Sequence, residues 1–156
     1  MIQNFTLEMP GKTSCLDLLE NYVSEITKNL KLELIEIKRI ELALDEACTN
    51  IIEHGYNFND SKTITIKCSV DDSKITFILE DTGKSFDPTS VNVNLNIISK
   101  SHLEAGVPHK EGGLGIFLIK QIMDEVHYTT KGSKTNTQGN SSKNVLSLVK
   151  YLKYSK

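Results

Sequence analysis

Two alternating stretches separated by a short turn constrain the fold of this chain more than any other feature. Residues 63–70, TITIKCSV, and residues 74–80, KITFILE, carry apolar side chains at every second position. This period of two is typical of strands with one buried face. The intervening Asp71, Asp72 and Ser73 are turn-forming residues. The pattern predicts an antiparallel hairpin whose apolar face requires a second layer to cover it.

Helical segments can supply that layer. Apolar residues recur at helical spacing from Thr13 or Ser14 to about Leu30, and again over residues 33–55, where His54 and Gly55 are expected to end the helix. The other predicted elements are a helix from 111–115 to about Val126 and strands at 2–9, 126–130 and 144–152. This order predicts an α+β fold, a two-layer α/β sandwich whose mixed, mostly antiparallel sheet has its helices on one face.

Length, charge and cysteine content exclude several classes of protein. A chain of 156 residues suffices for one domain with a substantial core, and we expect residues 1–156 to form that single domain. The net charge of −2 provides no electrostatic basis for binding nucleic acid or an anionic membrane. Cys15, Cys48 and Cys68 lack the spacing of a disulfide framework or a zinc site. No segment has the roughly 20 apolar residues that cross a bilayer. We therefore expect a soluble, cytoplasmic protein.

The segment EACTNIIEHGY, residues 46–56, places polar side chains on a helix whose other face is apolar. At about 100° per residue, Asn50 lies about 80° and Glu46 about 120° from the centre of the apolar stripe. The two side chains therefore share one shoulder of the helix, at the edge of the core. That shoulder can line a cleft, or the two residues can form an ordinary solvent-facing pair at i,i+4 spacing. The helix alone leaves both interpretations open.

The segment DTGKSFDP, residues 81–88, directly follows a predicted strand. Asp81 is able to accept a hydrogen bond from an exocyclic amine such as that of adenine. Gly83 would let the backbone approach a flat ring closely. Asp, Gly and Pro also favour turns, so a plain turn at the end of the strand is the alternative.

A second glycine-rich segment, EGGLG at residues 111–115, precedes a predicted helix. Backbone N–H groups at a helix start favour anions, which suits phosphates. The segment is neither a Walker A loop nor a GxGxxG fingerprint, because the required residues and the βαβ context are missing. A flexible hinge is the alternative interpretation.

Together and in this order, the three segments resemble a known family. DEACTN with HGY (45–50 and 54–56), DTGKSFDP (81–88) and EGGLGIFLIKQIMDEV (111–126) resemble the N, G1 and G2 boxes of the GHKL superfamily. The closest resemblance is to the anti-sigma factor serine/threonine kinases, and it covers nearly the whole chain. It implies the Bergerat ATP-binding fold and a kinase that phosphorylates an anti-anti-sigma factor.

The resemblance also implies a role for individual residues. Asn50 matches the residue that binds Mg²⁺, and Glu46 matches the general base that activates the hydroxyl to be phosphorylated. Asp81 matches the carboxylate that recognises adenine, and Gly83 the glycine beneath the ring. The phosphate-binding loop would include Gly113, Leu114 and Gly115. Residues 89–111 would form a lid over ATP.

One position departs from the family pattern. The family usually has Gly-Thr near the start of its last strand, where the threonine helps to bind adenine, whereas this chain has Lys143 and Asn144. Asn144 is predicted to supply a hydrogen bond to the nucleotide instead. Thr130 and Thr135 are the other candidates for that contact.

Three hypotheses about function follow. The first is a Mg²⁺- and ATP-dependent serine/threonine kinase that phosphorylates a STAS-type anti-anti-sigma factor, sequesters a sigma factor or similar regulator, and forms a homodimer. The second is a nucleotide-binding partner-switching module without kinase activity, which the unusual Lys143 and Asn144 favour. The third is an isolated ATPase domain of the histidine-kinase type. His54 is expected to belong to the helix end and not to accept a phosphate, since no dimerising helical hairpin precedes it.

Overall fold

The computed structural model describes residues 1–90, 114–132 and 142–153 of the chain. Its helices and strands are β1 (Gln3–Pro10), α1 (Leu18–Thr27), α2 (Leu34–Asn50), β2 (Thr63–Val70), β3 (Lys74–Asp81), α3 (Leu114–Ile122), β4 (Glu125–Lys131) and β5 (Lys143–Tyr151). Short 3₁₀ turns lie at Thr13–Cys15 and Pro88–Ser90, and a π-helical turn at Ile51–Gly55 extends α2. The order of elements follows the sequence-based expectation.

The strands form one five-stranded sheet in the order β1-β2-β3-β5-β4. Each of these pairings is antiparallel. The predicted hairpin is present, with Thr65 opposite Glu80 and Val70 opposite Ile75. The α+β class with a mostly antiparallel sheet is therefore confirmed.

The two faces of the sheet differ sharply in polarity. Ile75, Phe77 and Leu79 of β3 are completely buried, as are Ile40 and Leu44 of α2. The helices therefore cover one face and form the hydrophobic core with it. The opposite face carries an ion-pair cluster in which Lys67 and Lys143 lie 3.0 and 2.7 Å from Glu80.

The alternation of side chains along a strand also determines the face of the sheet on which two polar side chains lie. Asp81 ends β3 on the same face as Phe77 and Leu79, because side chains two residues apart share a face. Asn144, the second residue of β5, lies on the same face as Leu146 and Leu148 for the same reason. Both polar side chains are buried on the helix-covered side of the sheet.

Element ends differ from the sequence-based expectations. The regular part of the first helix begins only at Leu18, after the 3₁₀ turn, and α3 ends at Ile122 instead of Val126. Val126 belongs to β4 and lies opposite Leu148. Helical periodicity cannot anticipate this, since the pairing partner lies far along the chain.

The end of α2 also differs from the expectation that Gly55 closes it in a left-handed conformation. Positive φ angles occur instead at Asn57 (48°) and Phe58 (61°). The π turn carries the chain past Gly55, with the Tyr56 N–H donating to the Ile51 carbonyl at 2.7 Å. Gly55 does not adopt a left-handed conformation, and a Cβ there would make only ordinary contacts, the nearest at 3.6 Å from Asp81 Oδ1.

The predicted lid lies mostly outside the described residues. Thr89 and Ser90 belong to the second 3₁₀ turn, and 91–111 are among the residues that the structure does not describe. In the described part of the chain, no helix combines the length and apolar character that crossing a membrane requires.

The burial of Phe77 generates a test of the core. Its side chain is completely buried in the middle of β3, so Phe77→Ala should lower the free energy of unfolding by about 3–5 kcal/mol. Thr76→Ala, at the neighbouring position on the polar face of β3, should change it by about 1 kcal/mol or less. Urea unfolding of both variants measures the difference. Equal effects would contradict the assignment of the two faces.

Candidate functional site

A buried polar pair at the ends of two neighbouring strands forms the centre of the candidate site. Asp81 and Asn144 lie directly opposite each other in the β3–β5 ladder. Asp81 is only 8% exposed and Asn144 only 1%. The Asn144 Nδ2 donates to Asp81 Oδ1 at 2.9 Å. Buried polar side chains require hydrogen-bond partners, and Asp81 and Asn144 provide them for each other.

The segment after β3 curls around this pair. The Gly83 N–H donates to Asp81 Oδ1 at 2.8 Å, and the Gly83 carbonyl accepts from Asn144 Nδ2 at 3.0 Å. The Ser85 hydroxyl donates to Asn144 Oδ1 at 2.9 Å. Three positions of the DTGKSFDP segment are thereby tied to the start of β5.

Gly83 also packs against the end of α2. A Cβ at Gly83 would lie 2.5 Å from the carbonyl carbon and oxygen of Gly55, a separation that backbone atoms cannot accept without moving. The Lys84 N–H donates to the same Gly55 carbonyl at 2.8 Å. The glycine is therefore needed for the approach of two backbone segments. Its predicted role beneath an adenine ring stays a prediction.

Burial raises the pKa of Asp81 above its usual range, because desolvation disfavours the charged carboxylate. The hydrogen bonds from Asn144 and Gly83 and the nearby Lys62 ammonium act in the opposite direction. Two hydrogen bonds from the described residues reach the Asp81 carboxylate, and both end at its Oδ1 atom. Oδ2 is left for a donor on a ligand.

Asn50 faces the same cavity from α2. Its Nδ2 is buried and has no hydrogen-bond partner among the described residues. An unsatisfied buried amide typically costs about 1–3 kcal/mol, and such exceptions mark places where a ligand or ion completes the bonding. The unpartnered Nδ2 is a donor and therefore suits an acceptor such as a phosphate oxygen, whereas the Oδ1 of the same amide is the atom able to bind a metal ion.

A small cavity of about 30 Å³ joins these residues. Its lining combines Asn50, Asp81 and Asn144 with apolar walls from the helices, the sheet and the segment after β3. The full lining is Ala47, Asn50, Ile51, Gly55, Asp81, Lys84, Phe86, Pro88, Ile119, Tyr128, Asn144 and Leu146. In chemical character, this lining suits a flat apolar group with one polar edge.

Glu46 lies against the start of α3. A Cβ at Gly115 would overlap the Glu46 carboxylate oxygen Oε2, so the glycine allows α2 and α3 to come together at this point. Leu114 is the first residue of α3. The structure therefore brings Glu46 next to the predicted phosphate-binding segment, while Gly113 lies outside the described residues.

Several contacts of the site were not anticipated from the sequence. The Tyr128 hydroxyl accepts from the Phe86 N–H at 3.1 Å, and the Tyr56 hydroxyl accepts from the Thr82 N–H at 3.2 Å. The His54 ring packs on Phe86 with 5.4 Å between centroids. Tyrosines in strands and at helix ends carry no sequence signal for such long-range bonds.

Thr130 and Thr135 were the other two candidates for a hydrogen bond to the nucleotide. Thr130 contacts Asn144, its hydroxyl lying 3.5 Å from Oδ1, while Thr135 is not among the described residues.

Comparison with protein families decides the assignment. The family model of the histidine kinase-like ATPase domain matches residues 13–140, most of the chain. The protein belongs to this family. Residues 46–50, 81–88 and 114–115, which line or adjoin the cavity, all fall within the matched region.

Several relatives of this protein are named serine-protein kinase RsbW. The one from Halalkalibacterium halodurans is 33% identical over 123 residues, 78% of this chain and 74% of the relative. The one from Bacillus subtilis strain 168 is 28% identical over 120 residues, 77% of this chain and 74% of the relative. The resemblance to GHKL serine-protein kinases is thus confirmed.

A solved structure shares the fold at lower sequence similarity. A chain in the crystal structure of the SiaB–SiaC complex from Pseudomonas aeruginosa matches with a TM-score of 0.60 and 13% identity. The match covers 93% of this chain and 88% of that chain. At this level of sequence identity, the match supports the fold alone.

The burial of Asp81 leads to a prediction about thermal stability, and Asp71 provides a control for which the opposite change is expected. A carboxyl whose pKa is raised by folding reduces stability where it is ionised, so Asp81→Asn should leave Tm at pH 7 equal to or above that of the wild type. This advantage should vanish as the pH falls through the carboxyl pKa values.

Asp71 supplies the control, because hydrogen bonds from Ser73 hold its pKa below the usual range. Asp71→Asn should therefore lower Tm at pH 7, with the loss disappearing in acid. Thermal unfolding from pH 8 down to about pH 2, below the ordinary carboxyl pKa, distinguishes the two, and a Tm for Asp81→Asn at pH 7 well below that of the wild type would contradict the desolvation argument.

Proposed function

We propose that this protein is a cytoplasmic, ATP-dependent serine/threonine protein kinase of the anti-sigma factor type. It phosphorylates a STAS-type anti-anti-sigma factor and sequesters a sigma factor or similar regulator. The observation that carries the proposal is the shared cavity of Asp81, Asn144 and Asn50 with Glu46 beside α3. The names of the RsbW relatives support the reaction class.

The nucleobase end of the site is Asp81. Its Oδ2, which accepts no hydrogen bond from the described residues, is suited to accept one from the exocyclic amine of adenine. The apolar walls formed by Ile51, Phe86 and Ile119 suit the faces of the ring. The pairing is selective because an ionised carboxylate only accepts hydrogen bonds. A base that presents a carbonyl oxygen at that position would be repelled.

The phosphate end lies between Asn50 and the start of α3. Mg²⁺ takes one or two protein oxygens and fills its remaining positions with phosphates and water, and Asn50 Oδ1 would supply one such oxygen. An ion held there would provide positive charge beside the phosphates. The predicted phosphate-binding segment 113–115 ends at the N-terminus of α3, where anions are favoured.

Glu46 is the proposed general base. It lies one helical turn before Asn50 on α2, so the two side chains approach the phosphate end from one wall. The Glu46 carboxylate would remove the proton of the attacking serine or threonine hydroxyl while the nucleotide stays bound. Phosphoryl transfer depends mainly on positioning and electrostatics, and this arrangement provides both from a rigid helix.

A binding module without transferase activity is the second candidate function. Asn144 stands where the resembling kinases usually carry a threonine, which is the observation that favours it. In this case the cavity binds nucleotide and the protein holds its partner, but no phosphate is transferred.

The general-base assignment is tested with Glu46→Gln. The change preserves size and polarity but removes the base, so single-turnover phosphorylation should fall by about 10²–10⁴-fold while ATP affinity is retained. Glu41→Gln on the same helix is the matched control, since its carboxylate pairs with Lys38 at 2.7 Å away from the cavity. The assay uses radiolabelled ATP and proteins encoded beside this one.

Wild-type transfer rates in Glu46→Gln would show that another group is the base. Binding of a partner by the wild type without any phosphate transfer would favour the second candidate function.

The metal assignment is tested by combining Asn50→Ala with metal removal. Wild-type affinity for ATP should fall when EDTA removes Mg²⁺, because the ion links the nucleotide to Asn50. Asn50→Ala should bind ATP more weakly with Mg²⁺ present and respond much less to EDTA. Calorimetric titrations with and without the chelator measure both. An identical response to EDTA in the two proteins would argue against Asn50 as the metal ligand.

A further inference from the structure

The side-chain amide of Asn144 forms its hydrogen bonds with other groups of the protein. Its two amide N–H donors go to Asp81 Oδ1 at 2.9 Å and to the Gly83 carbonyl at 3.0 Å. Its Oδ1 accepts from the Ser85 hydroxyl at 2.9 Å and lies 3.5 Å from the Thr130 hydroxyl. With only 1% of the residue exposed, little of it remains for direct contact with a ligand.

This network fixes the orientation of the amide. The Asp81 carboxylate and the Gly83 carbonyl can only accept hydrogen bonds, whereas the Ser85 and Thr130 hydroxyls can donate. Rotating the amide by 180° would place its oxygen against two acceptors and lose the contacts with both hydroxyls. One orientation is therefore strongly favoured, and in it Asn144 always presents a donor to Asp81.

We propose that Asn144 is a positioning residue that determines specificity for 6-aminopurine nucleotides by acting through Asp81. Held at Oδ1 by Asn144 and Gly83, the carboxylate directs Oδ2 alone to the exocyclic amine. Ser85 acts one step further away by orienting Asn144. The inference rests on the proposed function, because it requires that the cavity bind ATP.

The physical reason is the burial of Asp81. A buried carboxylate with one fewer donor is less favourable in its charged form and less restricted in rotation about χ2. Loss of Asn144 would therefore weaken the contact with the amine in particular. A purely structural role would instead weaken every contact of the nucleotide to a similar degree.

The test compares ATP with purine riboside triphosphate, which lacks only the 6-amino group. Calorimetry on the full chain should show that the wild type prefers ATP by about 10–100-fold, the range for one hydrogen bond to a charged group. Asn144→Ala should reduce this preference to within about 3-fold, and Ser85→Ala should give an intermediate value. Ser147→Ala, on the opposite face of β5, is the control and should retain the wild-type preference.

Each other outcome overturns a specific statement. An unchanged preference in Asn144→Ala, or an equal loss of affinity for both nucleotides, would overturn the positioning role. A wild type that binds both nucleotides equally would overturn recognition of the amine by Asp81, and the inference with it. A wild type that binds neither would overturn the proposed function as well. Should Asn144→Ala fail to fold, Ser85→Ala, which removes an exposed hydroxyl, decides the question by the same criterion.

Discussion

The pairing of β3 with β5 is the constraint on which the rest of the site depends. It places Asp81 opposite Asn144, although 63 positions separate them in sequence. A register shift of one residue would turn one of the two side chains to the polar face of the sheet. The buried apolar residues on both strands oppose such a shift, so the hydrophobic core holds the polar pair in place.

Two glycines bring the helices to this strand pair. Gly83 permits contact with the Gly55 backbone, and Gly115 permits contact with the Glu46 carboxylate. The Gly83 contact involves backbone atoms and excludes even a methyl group, whereas a methyl group at Gly115 would require the flexible Glu46 side chain to move. The two glycines therefore leave room where segments remote in sequence meet around one cavity.

The site also holds polar groups that reduce stability. Asp81 is buried with a raised pKa, and Asn50 has a buried Nδ2 without a partner among the described residues. Interiors normally avoid both features. Their concentration in one cavity, next to a π turn of the kind often found at functional sites, is consistent with a pocket adapted to a polar ligand at the expense of stability.

Strand alternation, helical spacing and turn residues are local properties, and they were enough to predict the order of elements, the hairpin and the three motif segments. The sequence also indicated that Glu46 and Asn50 share a helix shoulder. The end of α3, the packing requirement for Gly83 and the use of Asn144 became apparent only in the folded chain. Each of these depends on a partner distant along the chain: Val126 on β5, Gly83 on Gly55, and Asn144 on Asp81 and Ser85. A local pattern contains no information about such partners, because the backbone ladder and the packing of the two layers bring them together only in the folded chain.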